Sequence, residues 1–423
     1  MTSGLQKNEP SNSTVLAAVC SSRVFLYLTF QSYAALIPIL QREWAMSNAA
    51  AGSVVSAFQV GFLVSLVGLS ALTDWVSAKK VFIYSAAALA VSSFLFALFA
   101  RSYATALLLR TLMGLAMGGT YTPVLKIISE AFSSTHRGRA MGYFIGAGSL
   151  GHALSLVATG WIAAAYGWKT AFLLTTVGPV VGFVIPAVYL RGMRERKSVP
   201  EGSRFKKEVL GNAPAMLLIG GYTAHTWELE GQRAWTPAFL MACFMAIGAT
   251  REQALQGGAA FSSSMYIVGV VSTAIAGYFS DRWGRTAVII AMMTVSTLCS
   301  FSFGWMIGSP IFWVMAIGLC YGFAVIAESP VYSSGLTELV SPDYLGAALG
   351  IRSLIGFAAG AVSPTVFGLI LDMTNPPGIT QAGFFPVWGW AFCSLGAAAA
   401  MGPLTMFMLR RMPESLKMAG GKK

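Results

Sequence analysis

The feature that most constrains this chain is a series of twelve mainly apolar segments, each about as long as a bilayer-spanning helix. They run over residues 14–40, 48–73, 80–100, 104–131, 139–165, 168–191, 213–246, 257–279, 286–308, 309–336, 346–372 and 384–410. About 20 apolar residues in a helix cross a hydrocarbon core of about 30 Å. Only 10% of the residues are charged, against about 25% in soluble domains. The sequence therefore predicts an all-α integral membrane protein with twelve transmembrane helices.

The basic residues favour one orientation of these helices. If the N-terminus is cytoplasmic, most of the 28 Lys and Arg residues lie in cytoplasmic segments, and those on the other side are Arg42, Arg101, Lys169 and Arg251. Cytoplasmic segments of membrane proteins carry an excess of Lys and Arg. This pattern predicts a plasma-membrane protein, in a bacterium the inner membrane, with both termini in the cytoplasm. The basic run at 191–208 is interpreted as a loop that touches anionic membrane lipid, not nucleic acid.

The same basic run separates six apolar segments from six, and the two halves resemble each other. At an offset of 207 residues, "ALTDWVSAKKVF" from Ala71 meets "YFSDRWGRTAVI" from Tyr278, and "YTPV" from Tyr121 meets "ESPV" from Glu328. At 208, "RGRAMG" from Arg137 meets "YLGAALG". A parallel duplication of six helices is a transporter architecture, with the substrate site at the midplane between the repeats.

The repeat predicts a division of the chain into five parts. They are an N-terminal tail (1–13), a six-helix bundle (14–191), a basic linker (192–212), a second six-helix bundle (213–410) and a C-terminal tail (411–423).

One short stretch points to a known family. In "GYFSDRWGR", Gly277, Asp281, Arg282, Gly284 and Arg285 match the cytoplasmic loop motif that the major facilitator superfamily carries between the second and third helix of a half. The chain resembles that superfamily over nearly its whole length. The resemblance implies two pseudo-symmetric six-helix bundles that transport small molecules by alternating access.

The first half carries a degraded copy of the loop motif. Asp74, Lys79 and Lys80 match it, whereas the neighbouring Gly and Arg positions do not. A second family pattern, R-x-x-x-G-x-x-x-G, begins at Arg110. A carboxylate at a helix end can pair with Arg or with a facing helix N-terminus. We therefore predict cytoplasmic gating by Asp74, Asp281, Arg282, Gly284 and Arg285, the alternative being that these residues only set topology.

The stretch "GYFIGAGSLGHALSL" contains the spacing G-x-G-x-x-G, which elsewhere marks dinucleotide binding. Such a site needs a preceding strand and an acidic residue about 20 positions on, but this stretch lies inside one apolar segment, and no Asp or Glu occurs between Glu130 and Glu195. No cofactor is expected. The small residues instead predict close helix packing; they are Gly142, Gly146, Ala147, Gly148 and Gly151, with Gly356, Ala359, Gly360 and Ser363 as their counterparts.

Ionisable residues inside membrane segments are costly and point to function. The densest set lies in segment 213–246, where His225, Glu228 and Gln232 share one helix face, and Glu230 and Arg233 lie three apart on an adjacent one. Several glycines and a proline in this segment predict that the helix bends. Arg23, in the equivalent first segment, is the expected partner of His225 and Glu228.

These residues predict a coupled transport site. We assign substrate binding to Arg23, Gln31, Arg110, His225, Gln232 and Arg352, and proton coupling to Glu228, Glu230 and Glu328. Arg stays charged and offers a planar fork to a carboxylate, whereas a carboxylate in a dry cavity favours its protonated form. The combination predicts proton-coupled symport of a small organic anion by a protein that works as a monomer. One alternative is that Glu230 and Arg233 only neutralise each other.

Two other functions are weighed against this one. Efflux of hydrophobic or cationic compounds could use the same glutamates as cation contacts and the aromatic residues as an apolar wall. A membrane-embedded enzyme lacks support, because the sequence has no H-E-x-x-H motif, no G-x-S-x-G motif and no metal-ligand spacing of Cys and His. We therefore expect neither catalytic residues nor a metal.

Overall fold

The computed structural model describes residues 10–73, 75–193, 209–341, 344–376 and 387–422, and every regular element in them is a helix. The helices of the first half are α1 (Asn12–Leu26), α2 (Ser32–Glu43), α3 (Asn48–Leu72), α4 (Ala78–Phe99), α5 (Tyr103–Met117), α6 (Thr122–Ala131), α7 (Ser134–Tyr166), α8 (Trp168–Thr175) and α9 (Val177–Tyr189). Those of the second half are α10 (Ala213–Ala246), α11 (Arg251–Trp283), α12 (Arg285–Phe303), α13 (Ile311–Ala327), α14 (Ser329–Leu339), α15 (Leu345–Thr374), α16 (Gly389–Ala399) and α17 (Met401–Arg411).

These helices group into twelve units, since α1–α2, α5–α6, α8–α9, α13–α14 and α16–α17 each continue one another. Within the described ranges, ten units are long and apolar enough to cross a membrane. The other two are α5–α6, which a 3-10 turn interrupts at Gly118–Thr120, and α10, which carries several charges. The all-α membrane fold is therefore confirmed, and the other two units are those with charged residues such as Arg110 and Glu228 in their apolar stretches.

The first and seventh units differ, although they are equivalent in the repeat. The first breaks between α1 and α2, where a short 3-10 turn covers Tyr27–Thr29. By contrast, α10 runs unbroken for 34 residues and contains Pro237 within it. Its glycines serve close packing, because Gly221 faces the Tyr332 hydroxyl and Gly231 faces Leu395.

We call the end of the bundle where α1 begins and α17 ends the termini side, and the end where α2 meets α3 the far side. The two halves contact each other mainly through α3 against α15 and α7 against α11. At the far side these helices approach closely: the Pro364 carbonyl fills the space where a Gly52 side chain would lie, and Asn48 does the same at Gly368. Small residues allow this approach in a bilayer, where backbone packing holds helices together.

Polar contacts close the far side. The Asp372 carboxylate, at the end of α15, accepts hydrogen bonds from the Asn48 backbone N–H (2.9 Å), the Asn48 side-chain amide (2.8 Å) and the Ala49 N–H (2.8 Å). It therefore caps the N-terminus of α3 from the opposite half, where the helix dipole favours a negative charge. Deeper in, the hydroxyls of Ser56 and Thr365 lie 2.7 Å apart.

The halves diverge towards the termini side. A Cβ placed on Gly142 or Gly146 of α7, or on Gly346 or Gly350 of α15, would have no neighbour within 4 Å among the described residues. The predicted packing surface is therefore present only farther along these helices, where Gly151 faces α1 and Gly360 faces α10. The described residues therefore leave α7 and α15 less tightly packed at the termini side than at the far side.

Asp372→Ala is expected to destabilise this closed far side, because α3 loses its cap from the other half. Removing an N-cap costs about 1 kcal/mol, equivalent to an about fivefold shift in the equilibrium between closed and open forms. A Ser56→Cys reporter, in a background without the native cysteines, measures this as a faster reaction with a polar maleimide in detergent. Glu252→Ala, which removes an exposed far-side carboxylate, is the control, and equal labelling rates in all proteins would contradict the role given to Asp372.

Candidate functional site

The candidate site lies between the halves at mid-length, around Arg23, Arg233, His225, Glu328 and Arg352; we call it the central site. The ring of Tyr27 contacts both Arg23 and His152, that of Tyr266 contacts both His152 and Arg233, and that of Tyr222 contacts both Arg352 and His225. Three guanidinium groups therefore surround one region, although they come from α1, α10 and α15. The internal repeat explains part of this arrangement. In the first half Tyr121 and Phe144 contact Arg23, and the equivalent positions of the second half are Glu328 and Arg352.

Arg23 projects from α1 into an aromatic enclosure. Its guanidinium carbon lies 4.2 Å from the ring centroid of Phe144, 4.8 Å from that of Tyr27 and 4.9 Å from that of Tyr121. The side chain is 8% exposed, and its Nε and Nη1 atoms have no hydrogen-bond partner in the described part of the chain. Rings over the faces of a guanidinium stabilise its charge and leave its N–H edge for an acceptor.

Gly148 makes room at that edge. A Cβ on Gly148 would lie 2.6 Å from Nε of Arg23, closer than packed atoms come. The absence of a side chain at Gly148 therefore lets the guanidinium of Arg23 pack against α7. Its neighbour on the same face, Gly151, packs directly on the α1 backbone at Val24.

Glu230 and Arg233 form an ion pair of 2.9 Å on α10, as one of the alternatives expected. Glu230 also accepts a hydrogen bond from the Gln59 amide of the first half. Beside this pair, the Gln31 amide donates to the Tyr266 hydroxyl at 2.6 Å, again across the halves. These contacts form the floor of the central site, on its far-side face.

His225 and Glu328 form a second buried pair, with Nδ1 and Oε1 2.7 Å apart and both side chains fully buried. Glu328 lies where α13 meets α14, so the junction of two helices places its side chain at mid-length. Arg352 approaches the same region over the ring of Tyr222 at 4.4 Å and donates to the Ser333 hydroxyl at 2.6 Å.

Glu228 has a different environment. It points into the second bundle, where it accepts a hydrogen bond from the Ser296 hydroxyl of α12 at 2.9 Å. The expectation that Arg23 pairs with His225 and Glu228 is therefore wrong. The reason is that α10 packs against neighbours within its own half on several faces, so its ionisable groups find partners there rather than across the central site.

Of the two remaining predicted residues, Arg110 lies apart from the central group, whereas Gln232 shares a small pocket with Arg233 and Tyr266. Arg110 is buried and donates to the backbone carbonyls of Thr29 (3.3 Å) and Phe30 (3.2 Å), which the break between α1 and α2 leaves without helical partners. Gln232 lies between α10 and α11 beside Thr236 and Ser262. Arg110 thus has its hydrogen-bonding capacity directed to the chain break, a placement that the R-x-x-x-G-x-x-x-G pattern alone does not indicate.

The predicted gating residues lie at the termini side of the second half. Arg285 pairs with Asp281 and, through Nη2, with Glu338 at 2.8 Å. Gly284 has φ +103°, which lets the chain turn sharply between α11 and α12, and Arg282 donates to the Tyr278 hydroxyl at 3.3 Å. Asp74, the remaining predicted member, lies outside the described residues.

The site residues assigned from the sequence omit several contributors to the central site, namely Gln59, Tyr121, Phe144, His152 and Tyr266. Aromatic and amide side chains are common in membrane helices, so their type alone gives little signal. The repeat could have located two of them, because Tyr121 and Phe144 occupy the positions equivalent to Glu328 and Arg352.

Two six-helix bundles around a buried polar site define a transporter that works by alternating access. A family model described as Major Facilitator Superfamily matches residues 19–251, more than half of the chain. The chain therefore belongs to the major facilitator superfamily, and it is a transporter and not an enzyme.

Individual proteins similar to this chain are transporters as well. The hexuronate transporter of Bacillus subtilis (strain 168) is 21% identical over 405 residues, which cover 90% of this chain and 92% of the relative. The gallate transporter of Pseudomonas putida is 24% identical over 386 residues, with 80% and 83% covered. A solved structure of a bacterial homolog of the human lysosomal transporter Spinster, inward-facing and unoccupied, superimposes with a TM-score of 0.75 at 14% identity over 98% of this chain and 99% of that one. The structural likeness shows the fold.

Arg110→Lys is expected to destabilise the folded protein, because one ammonium group replaces the planar fork that reaches two carbonyls. A hydrogen bond from a charged donor contributes about 2 kcal/mol, so the thermal unfolding midpoint in detergent should fall by a few degrees. Arg101→Lys, at an exposed far-side position, should leave the midpoint unchanged. An Arg110→Lys protein as stable as the parent would show that these two carbonyls do not need the fork.

Proposed function

We propose that this transporter carries a small organic anion in symport with a proton. The observation that carries the proposal is the state of Arg23, which is buried but is not paired with a carboxylate in any described part of the chain. A buried charge without a partner is costly. An anionic substrate that supplies the missing carboxylate would repay this cost at the moment of binding.

The charges around the central site also support transport of an anion. Of the three guanidinium groups around the central site, only that of Arg233 has a carboxylate partner, Glu230. Arg352 bonds with a neutral hydroxyl and has a buried Nε without a partner among the described residues. Arg23 and Arg352 are thus the substrate anchors of the proposal, one from each half, as a site that alternates between two openings requires.

The His225–Glu328 pair is the proposed proton site. A neutral imidazole beside a carboxylate carries one negative charge, and uptake of one proton makes the pair neutral without moving either helix. Because the pair is buried, removing its net charge lowers its free energy. Glu228 is less suited, because it lies inside the second bundle with Ser296, and Glu230 is held by Arg233 and Gln59.

The same contacts argue against efflux of cationic compounds. Glu230 is bonded to Arg233, and Glu328 is bonded to His225. Arg23 and Arg352, by contrast, have no carboxylate partner among the described residues, and two such positive charges disfavour a cationic substrate.

The excess of basic residues at the termini side supports a cytoplasmic location for that side. In this orientation the central site faces the cytoplasm in the present structure. The Asp281–Arg285–Glu338 network lies where the two halves must meet when that side closes. We assign it the gating role expected from the sequence.

A vesicle assay tests the substrate class. Purified protein in liposomes that contain a pH-sensitive dye is exposed to D-glucuronate, succinate, chloride or a cationic dye, and protein-free vesicles give the passive rate. Anion-dependent acidification of the lumen above the passive rate supports symport. A response to the cationic dye alone, with protons moving in the opposite direction, would instead establish efflux.

Arg23→Lys is expected to lower anion uptake in this assay at least about tenfold, because Lys keeps the charge but loses the fork that binds a carboxylate at two points. The loss should appear mainly as a higher KM. Arg101→Lys, outside the central site, is the matched control. Uptake by Arg23→Lys equal to that of the control would remove Arg23 from the site.

Glu328→Gln is expected to uncouple transport from protons. Glutamine resembles the protonated carboxyl in shape, so exchange of labelled for unlabelled anion across the membrane should continue. Accumulation driven by a pH gradient should fall to the level of protein-free vesicles. Glu228→Gln is the paired control and should retain accumulation within about twofold. If Glu228→Gln loses accumulation and Glu328→Gln keeps it, the proton site belongs to Glu228.

A further inference from the structure

The surroundings of Arg23 restrict what can accompany a carboxylate there. Three rings, those of Tyr27, Tyr121 and Phe144, cover the guanidinium within 5 Å of its carbon atom. Rings placed over the faces of a guanidinium also lie beside whatever its N–H edge binds. The space next to the bound carboxylate is therefore lined by π surface, while Nε of Arg23 packs against Gly148 of α7.

The aromatic surface continues from Arg23 towards Arg233. Tyr27 contacts the ring of His152 edge-on at 4.8 Å, His152 stacks on Tyr266 at 5.2 Å, and Arg233 lies over Tyr266 at 5.5 Å. A line of rings therefore joins the unpaired cation to the paired one. This line crosses from the first half to the second, because Tyr266 belongs to α11.

His152 adds a polar group to this wall. It is 6% exposed, and its Nδ1 is buried without a hydrogen-bond partner among the described residues. An unpartnered buried nitrogen costs free energy unless a ligand pairs with it. Its ring is enclosed by Tyr27, Phe30 and Tyr266, so the ligand group that reaches it must belong to a molecule lying along the same rings.

We infer that the substrate class is a hydroxylated aromatic monocarboxylate, with its carboxylate on Arg23, its ring along the Tyr27–His152–Tyr266 wall and its hydroxyl towards His152. The inference rests on the proposed function, since it specifies the anion of that symport. Conjugation keeps an aromatic carboxylate in the plane of its ring, so a flat molecule extends from the guanidinium edge between surfaces that favour stacking. A polyhydroxylated aliphatic acid would leave most of its hydroxyls facing rings.

Binding to the purified full-length protein in detergent, measured by calorimetry, tests this without interference from passive permeation of weak acids. The probes are 4-hydroxybenzoate and trans-4-hydroxycyclohexanecarboxylate, which share charge, hydroxyl and approximate size but differ in the aromatic ring. We expect 4-hydroxybenzoate to bind at least about tenfold more tightly, the effect of one or two favourable ring contacts. D-Glucuronate serves as the aliphatic comparison.

Substitutions of the ring residues test whether the rings cause the preference for 4-hydroxybenzoate. Phe144→Leu and Tyr27→Leu should reduce the ratio of the two affinities to about twofold or less, whereas Tyr121→Phe, which keeps its ring, should preserve it. His152→Leu should remove the advantage of 4-hydroxybenzoate over benzoate while leaving benzoate affinity within about threefold. Thermal unfolding midpoints close to that of the parent identify variants that remain folded.

The possible outcomes distinguish a failure of the aromatic substrate class from a failure of the proposed anion transport. Equal or tighter binding of the cyclohexane acid or of D-glucuronate, abolished by Arg23→Ala, would overturn the aromatic class and keep anion transport. If the parent protein binds a cationic dye but none of the anions, the proposed function itself is wrong.

Discussion

The structure depends on one constraint: polar groups inside a bilayer must find partners within the protein. The break between α1 and α2 illustrates it, because the carbonyls that lose helical partners there are taken up by the buried fork of Arg110. The break in turn sets where α1 ends and how α2 reaches the far side. Glu228, Glu230 and Glu328 obey the same rule, each with a different partner. Arg23, which has no carboxylate partner among the described residues, is the exception on which the proposed function rests.

The internal repeat gives the two halves the same frame with different chemistry at equivalent positions. Around α1 the frame holds aromatic rings, Tyr121 and Phe144, against a cation. Around α10 it holds Glu328 and Arg352, with His225 on the central helix. Duplication followed by such divergence can place an anion anchor in one half and a proton site in the other. Movement of the halves relative to each other then changes the surroundings of both sites together, which is what coupling requires.

Several polar contacts help to hold the far side closed. The cap that Asp372 gives to α3, the Ser56–Thr365 contact and the floor contacts of Gln31 and Gln59 each cross between the halves. Individually such bonds contribute on the order of 1 kcal/mol. Their sum can hold one state, and their loss can be offset by equivalent contacts at the termini side. A transporter needs this balance, because one strong apolar interface would fix a single opening.

The sequence by itself determined the membrane class, the helix boundaries to within a few residues and the duplication, because apolar length and periodicity are local properties of the chain. It also identified His225, Glu230, Glu328 and Arg352 as important, since buried charge is visible in any apolar segment. Only the tertiary structure decided the partners. Arg23 meets aromatic rings and not the acids of α10, Arg110 serves a chain break, and Glu228 turns into its own bundle. Pairing depends on which helix faces which at mid-membrane, and this follows from the packing of twelve helices together, which no single segment encodes.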